Sequence, residues 1–337
     1  MISDSFNFRT PRFPSNILIP LALILVSGFF MLQLFKRPLP LILDGALATE
    51  LEYAGADLSG GLWSARILKA QPALIQAVHL AYFEAGADVA TTASYQASGP
   101  GFEKAGYGRR EAMALIQRSV ELAKSARAAF LNSDGSKGRS APVIAASVGP
   151  YGAYLADGSE YHGHYAINEA QLLDFHQPRI DWLLESEPDC LAFETLPSLR
   201  EARVLLGLLE QYPEVQAWFS FTAKDGAHIS EGQTVAEVGR LLGSHPQVLA
   251  IGFNCIPPHL ATALLSNLSP HTRKPLLIYP NSGEGWDAVR QCWLPAYRAP
   301  RGFGTLPREW FTAGARLIGG CCRTRPADIR TLRKLFF

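Results

Sequence analysis

A chain of 337 residues with 48% hydrophobic and 18% charged residues has ample apolar material for a buried core, as folded globular proteins do. Its 31 Lys and Arg residues balance 30 Asp and Glu residues to a formal net charge of +1 without blocks of like charge, which gives no support to nucleic-acid binding. The five cysteines are odd in number and irregularly spaced, which excludes a secreted disulfide framework and predicts reduced thiols.

The first predicted element is an apolar segment at residues 17–35, within an N-terminal extension of residues 1–40. It has no charged residue and approaches the roughly 20 residues needed to cross a bilayer, so it predicts a transmembrane helix that could anchor the protein. Basic residues flank it on both sides, so charge does not set its orientation. Two alternatives stay open, namely translation from Met31 and a hydrophobic helix buried against the main domain.

Short apolar runs rich in branched residues alternate with helical patterns over residues 41–337, which is typical of parallel strands joined by crossover helices. Eight strands are the number of a (β/α)8 TIM barrel, and no linker divides this region, so we predict one barrel domain over residues 41–337. The predicted strands lie at 41–43, 89–91, 143–147, 190–193, 217–221, 249–253, 276–279 and 316–318.

Boundary signals support the helices between these strands. Pro72 suits the first turn of a helix and Gly86 suits its end. Ser198 and Glu201 have the spacing of a capping box at the start of the helix after the fourth strand.

Polar residues follow the predicted strands at their carboxyl ends. In a closed parallel barrel these ends converge on one face, which is where such barrels hold their active sites. A doubly wound sheet would also alternate strands and helices, so strand count and this consistent placement favour the barrel. The candidate site residues placed in this way include Asp44, Tyr95, Glu194, Asn254, Cys255, Cys321 and Cys322, with Asn254 a candidate for substrate contact.

The cysteines offer a possible metal site. Cys255 follows the sixth predicted strand, whereas Cys321 and Cys322 follow the eighth, so the barrel can bring all three together. Three thiolates on a tetrahedral zinc ion leave one position open, as in catalytic sites. A cysteine can also be a small buried hydrophobe, and spacing alone leaves these alternatives open.

Several motifs resemble the homocysteine S-methyltransferase family over residues 41–335. The motifs are LDGALATELE at 43–52, TTASYQAS at 91–98, FETLPS at 193–198, GFNC at 252–255 and GGCC at 319–322. Two further strings, SVGPYGAYLADGSEY at 147–161 and YPNSGE at 279–284, resemble the branch that uses S-methylmethionine.

The resemblance implies a barrel that binds Zn2+ through Cys255, Cys321 and Cys322. It implies that Asp44 and Glu194 bind the amino group of homocysteine. It also places Trp63 and Tyr95 on the methyl-donor side, where aromatic rings attract a positively charged sulfonium.

The implied reaction passes a methyl group from S-methylmethionine, or from S-adenosylmethionine, to the thiol of L-homocysteine and gives methionine. Alternatives are a zinc-dependent barrel hydrolase, for which histidine and carboxylate ligands would be expected, and a membrane-tethered binding protein without catalysis. Without the cysteines, Asp44 and Glu194 would favour a glycosidase acid and base. Thiolate ligands and a thiol substrate require reducing conditions, so the barrel is expected to face the cytoplasm.

Overall fold

The computed structural model describes residues 38–58, 62–283, 285–287, 292–294 and 303–337. The predicted transmembrane segment at 17–35 lies outside these residues. Within the described ranges, no helix combines the length and the hydropathy that crossing a bilayer requires.

Eight parallel strands form a closed barrel. The described strands are β1 (Leu41–Ile42), β2 (Val89–Thr91), β3 (Val143–Val148), β4 (Cys190–Leu196), β5 (Ala217–Phe221), β6 (Val248–Asn254), β7 (Leu276–Tyr279), β8 (Gly285–Asp287), β9 (Cys292–Leu294) and β10 (Ala315–Ile318). Along the barrel sheet the order is β1, β10, β7, β6, β5, β4, β3 and β2, and a parallel bridge between Leu43 and Val89 joins β1 to β2. Strands β8 and β9 form a separate antiparallel hairpin.

Helices surround the barrel and cross from each strand to the next. The described α-helices are α1 (Leu47–Tyr53), α2 (Ile67–Ala70), α3 (Pro72–Ala85), α4 (Gly99–Lys104), α5 (Arg109–Leu131), α6 (Tyr151–Leu155), α7 (Glu169–Leu184), α8 (Leu199–Leu209), α9 (Val235–Leu242), α10 (Ala261–Leu268), α11 (Leu306–Thr312) and α12 (Pro326–Phe336). Short 3-10 helices lie at Trp63–Arg66, Asp134–Ser136, Ser159–Tyr161, Pro258–Leu260 and Ser269–His271.

The barrel strands are apolar along nearly their whole length because helices cover one face and the barrel interior covers the other. Alternate residues form a small interior cluster that includes Ala145, Ala192, Trp218 and Leu277, whereas the larger core lies between sheet and helices. Side chains alternate along a strand, so the position two residues after each of these also faces the interior. This alternation places the last interior side chain of several strands at the barrel mouth.

The eight predicted strands are confirmed, most to within one residue and β4 with three residues more than predicted. The helix from Pro72 ends as predicted, with Gly86 at φ 117°. Ser198 caps α8 as predicted, since its Oγ accepts the Glu201 N–H at 3.2 Å. The reciprocal half of the capping box is wrong, because the Glu201 carboxylate instead accepts the Tyr151 N–H at 2.6 Å and contacts His176 at 2.8 Å.

Candidate active site

Four polar side chains occupy the last interior positions of their strands. Ser147, Glu194, Ser220 and Tyr279 each follow a small or apolar interior residue by two positions, on β3, β4, β5 and β7. All four are buried. They therefore form a polar layer that closes the hydrophobic interior at the carboxyl end of the barrel.

Hydrogen bonds within this layer are directed at Glu194. The Tyr279 hydroxyl donates to Glu194 Oε2 at 3.0 Å, and the Ser147 hydroxyl donates to Oε1. Trp218 Nε1 donates to the Tyr279 hydroxyl at 3.3 Å, and the Ser220 hydroxyl lies 2.5 Å from it. Since Tyr279 has a single hydroxyl hydrogen, its donation to Glu194 makes Ser220 the donor of their shared bond. The layer thus presents two hydroxyl donors to one carboxylate.

Asp44 lies at the end of β1 and reaches across to β2. Its Oδ2 accepts the Thr91 N–H at 2.9 Å, and its Oδ1 lies 3.2 Å from the Thr91 hydroxyl. Burial raises the pKa of Asp44 well above its ordinary value, against the hydrogen bonds from Thr91, and the charge of Glu194 raises it further. Asp44 and Glu194 are therefore electrostatic neighbours.

Neither carboxylate has a cationic partner among the described residues. Burial raises the pKa of Glu194, and the hydrogen bonds from Ser147 and Tyr279 oppose that rise. The ion pairs in the described part of the chain involve other acids. Two buried carboxylates supplied only with neutral donors favour the binding of a positively charged group between them.

The three predicted cysteines converge at the same end of the barrel. The Sγ atoms of Cys255, Cys321 and Cys322 all lie within 4.8 Å of one another, and Cys255 Sγ is 3.8 Å from Cys322 Sγ. Among the described residues, no histidine or carboxylate joins this group. Burial, with the charges of Glu160, Glu194 and Glu52, raises the pKa of the Cys322 thiol to about 12.

Cys255 and Cys321 are joined as a disulfide, while Cys322 is free. This differs from the prediction of reduced thiols. Their Cα atoms are 5.4 Å apart, which lies within the range of a disulfide, so the convergence that suits a metal also permits oxidation. Three reduced sulfurs at one point are a soft donor set that fits a metal ion such as zinc, with one coordination position left over.

Close backbone contacts place the cysteine pair. A Cβ atom at Gly319 would lie 2.5 Å from the Leu43 Cβ and 2.9 Å from the Asp44 carbonyl oxygen, so only glycine fits there. The next N–H, that of Gly320, donates to the Asp44 carbonyl at 3.1 Å, and Cys321 N donates to the Pro280 carbonyl at 2.8 Å. The end of β1 therefore supports both Asp44 and the cysteine turn.

Strand β4 is irregular directly after Glu194. Thr195 has φ 62°, in the left-handed region that a branched residue rarely adopts, and the β4–β5 register shifts between Phe193 and Leu196. The buried Asn254 stabilises this irregular segment, since its Oδ1 accepts the Thr195 N–H at 2.8 Å and its Nδ2 donates to the Thr195 hydroxyl at 2.8 Å. Its Nδ2 also lies 4.0 Å from Cys321 Sγ. The amide of Asn254 thus bonds the protein on both its oxygen and its nitrogen.

Tyr95 lies beside this group. Burial raises the pKa of its phenol well above the ordinary value, with further contributions from Glu160, Tyr161 and Glu194. Gly149 packs on Tyr95 so closely that a Cβ there would lie 2.6 Å from its carbonyl oxygen and 2.7 Å from its ring. Trp63 begins the Trp63–Arg66 helix, and its side chain lies outside the described part of the chain.

Sequence reasoning placed Ser147 and Tyr279 among the polar residues at strand ends without giving them a role, and it missed Ser220 and Glu160. Serine and tyrosine are common in strands, so composition gives no signal for them. The alternation of strand residues would have placed Ser147 and Tyr279 on the same face as the interior residues before them. No local pattern marks Glu160, because its place near the site depends on how its loop folds.

A closed (β/α)8 barrel with a sulfur cluster and buried carboxylates at the carboxyl ends of its strands has the architecture of a barrel enzyme. A family model described as homocysteine S-methyltransferase matches residues 41–336. The chain therefore belongs to the homocysteine S-methyltransferase family, as its motifs indicate.

Individual relatives agree with this assignment. The chain is 49% identical to homocysteine S-methyltransferase YbgG of Bacillus subtilis, over 87% of this chain and 93% of the relative. It is also 49% identical to homocysteine S-methyltransferase of Escherichia coli, over 87% and 94%. Among solved structures, the metallated form of the homocysteine methyltransferase MmuM from Escherichia coli superposes with a TM-score of 0.79 at 47% identity, covering 90% of this chain and 98% of that one.

Proposed function

We propose that this chain transfers a methyl group from a sulfonium donor, S-methylmethionine or S-adenosylmethionine, to the thiol of L-homocysteine, giving methionine. One observation carries the proposal: a three-sulfur cluster and two buried carboxylates lie at the same end of the barrel. Neither carboxylate has a cationic partner among the described residues. A substrate with both a thiol and an ammonium group complements this arrangement. Family membership supports the same reaction.

Asp44 and Glu194 are the proposed ligands of the homocysteine ammonium group. The hydroxyl donors Ser147 and Tyr279 hold the Glu194 carboxylate in place, and Thr91 does so for Asp44. An ammonium group between two buried carboxylates would offset the desolvation that raises both of their pKa values. The substrate thiol would then be directed towards the cysteines.

Cys255, Cys321 and Cys322 are the proposed zinc ligands, in their reduced form. Zinc, when bound, would lower the pKa of a coordinating thiol so that it is deprotonated at neutral pH. Asn254 contacts both Thr195 and Cys321, so it is proposed to position the end of β4, with Glu194, against the sulfur cluster instead of contacting substrate.

The reaction balances without an organic cofactor. The homocysteine thiol releases its proton to solvent, and its sulfur forms a bond to the methyl carbon of the donor. The bond between that carbon and the donor sulfonium breaks, and its electron pair stays on the donor sulfur, which leaves as a neutral thioether. Alignment of the two sulfurs with the methyl carbon is then the main requirement on the protein. Tyr95 and Trp63 are proposed to hold the cationic donor against their ring faces.

A donor panel tests this function. Reduced, zinc-loaded protein is incubated with homocysteine and, separately, with S-methylmethionine, S-adenosylmethionine and betaine, and methionine is quantified by mass spectrometry. We expect methionine from at least one sulfonium donor and none from betaine. Absence of homocysteine methylation with every sulfonium donor would reject the proposal.

The location of the barrel is also a proposal. Zinc thiolates and a thiol substrate require reducing conditions, so we infer that the barrel faces the cytoplasm. Residues 17–35 are proposed as a single membrane anchor that takes no part in catalysis, because every proposed site residue follows residue 43.

A further inference from the structure

Glu160 is a carboxylate that the proposed reaction leaves without a role. It belongs to the short Ser159–Tyr161 helix, which packs against α6 and against β4, the strand that carries Glu194. The Thr222 hydroxyl, at the end of β5, donates to the Glu160 carbonyl oxygen at 3.0 Å. These contacts fix the Glu160 backbone at the carboxyl end of the barrel.

One carboxylate oxygen of Glu160, Oε2, is buried without a hydrogen-bond donor among the described residues. A buried carboxylate oxygen without a donor is costly, so such an atom points to a ligand.

Electrostatic neighbours show which part of the site Glu160 faces. Its charge contributes to the raised pKa values of Tyr95 and Cys322, in both cases after the larger effect of burial. Tyr95 is the proposed donor-side aromatic residue, and Cys322 is a proposed metal ligand. Together with the packing of its helix on β4 and the Thr222 contact at the end of β5, these contributions place Glu160 at the barrel mouth near the proposed donor-side ring and the sulfur cluster.

The charge of the two substrates favours one ligand for this carboxylate. The ammonium group of homocysteine already has Asp44 and Glu194. A donor such as S-methylmethionine carries two positive groups, a sulfonium and an α-ammonium. The sulfonium charge disappears during methyl transfer, so a carboxylate against it would stabilise the reactant more than the transition state and slow the reaction. The ammonium charge does not change, and a carboxylate against it improves binding at no catalytic cost.

We propose that Glu160 binds the α-ammonium group of the methyl donor and thereby selects sulfonium donors that are amino acids. This inference rests on the proposed function. S-methylmethionine and S-adenosylmethionine share that ammonium group, so Glu160 would favour both over sulfonium compounds without it.

Glu160→Gln tests the proposal, because it removes the charge while keeping the size of the side chain and one acceptor oxygen. In zinc-loaded protein we expect the KM for S-methylmethionine to rise about tenfold, which corresponds to the loss of one charged contact. The KM for homocysteine, kcat and zinc content should stay within about twofold. Asp157→Asn is the matched control, since it removes a carboxylate from the same loop and keeps an acceptor for Ser159, and all of these values should be unchanged.

The deamino analogue of S-methylmethionine, a dimethylsulfonium butanoate, supplies the second arm. Its affinity, measured as substrate or as competitor of S-methylmethionine, should be the same for wild type and Glu160→Gln, and this also shows that the variant is folded. Equal weakening of both donors, a raised KM for homocysteine, loss of zinc, or no change with S-methylmethionine would each overturn the inference. Failure of the proposed function is distinguishable, because wild-type protein would then methylate no homocysteine with any sulfonium donor.

Discussion

Asp44 and Asp88 perform the same structural task at opposite ends of the barrel. Asp44, after β1, accepts the Thr91 N–H of β2 at 2.9 Å, and Asp88, before β2, accepts the Ile42 N–H of β1 at 3.1 Å. Both carboxylates therefore tie β1 to β2 where the barrel closes. They differ in their other partners, and that difference separates a structural acid, Asp88, from the proposed binding acid, Asp44.

Asp88 receives its counter-charge from the protein. Arg333 Nη1 contacts its two oxygens at 3.0 and 2.9 Å, and Arg139 Nη2 lies 3.5 Å from Oδ1. Asp44, like Glu194, has only neutral donors among the described residues. A buried carboxylate is costly unless it is paired, so the missing cation at the carboxyl end is best supplied by the substrate.

The largest effect should come from the sulfur cluster, the feature that marks the carboxyl end as reactive. Serine at Cys255, Cys321 or Cys322 should remove bound zinc and lower kcat/KM by more than about a thousandfold, because a hydroxyl is a poor ligand for this metal. Metal analysis and a methionine assay on the same reduced samples measure both. Cys190→Ala is the control, since this buried strand cysteine is outside the cluster, and it should retain zinc. A metal-free triple variant with full activity would contradict the mechanism.

Substituting one acid at each end of the barrel tests the difference between an unpaired and a paired carboxylate. Glu194→Gln should raise the KM for homocysteine about thirtyfold, as expected for the loss of a buried charge that meets an ammonium group, with zinc content unchanged. Asp88→Asn should leave that KM unchanged and instead lower the free energy of unfolding by about 1 to 3 kcal/mol, because two arginines lose their partner. Steady-state kinetics and urea unfolding distinguish the two. Parallel loss of zinc and homocysteine binding in Glu194→Gln would make Glu194 a structural or metal-supporting residue.

A smaller effect is expected when Glu194 keeps its charge but loses one of its hydrogen-bond donors. Tyr279→Phe removes the hydroxyl that lies 3.0 Å from Oε2, so homocysteine binding should weaken about fivefold. The hydrogen bond from Tyr279 lowers the pKa of Glu194 against the effect of burial, so its loss raises that pKa. If Glu194 has its proposed role, homocysteine binding requires the ionised carboxylate and fails as pH falls through this pKa. The acid limb of kcat/KM for homocysteine should therefore move to higher pH, and an unmoved limb would reject this role for Tyr279.

The smallest catalytic effect should come from the N-terminal extension. A protein that begins at Met31 should stay in solution and keep kcat/KM within about twofold of the full-length chain, since every proposed site residue lies in the barrel. Full-length protein should fractionate with membranes and resist salt extraction, because an anchor at residues 17–35 would act through hydrophobic contact. A folded but inactive shortened protein would link the segment to catalysis. Full-length protein that remains in the soluble fraction would reject the anchor.

The barrel was predictable because its strands are buried on both faces and therefore appear in the sequence as short apolar runs. The sulfur cluster was predictable in part for the same reason, since three cysteines that follow two such runs lie at the same end of a closed barrel, and the family motifs supplied their role as a metal site. The carboxylates Asp44 and Glu194 follow strands in the same way, and the family motifs gave them a role.

The hydrogen-bond partners could not be predicted, because they depend on register and on distant segments. Glu201 has capping-box spacing, but His176 and the Tyr151 N–H compete for its carboxylate once α7 and the β3 loop are packed against it. Asn254 suggested a substrate contact from its place after β6, yet its amide is bonded to Thr195, 59 residues earlier in the chain. Such long-range partners leave no local pattern in the sequence.

Calorimetric binding of homocysteine and of its deamino analogue, a mercaptobutanoate, tests the central claim most directly. Both compounds carry the thiol, and only homocysteine carries the ammonium group. In reduced, zinc-loaded wild-type protein, homocysteine should bind at least about thirtyfold more tightly than the analogue, and in Glu194→Gln most of that difference should disappear. Equal affinity of the two compounds for wild-type protein would contradict the claim that the unpaired carboxylates bind the substrate ammonium.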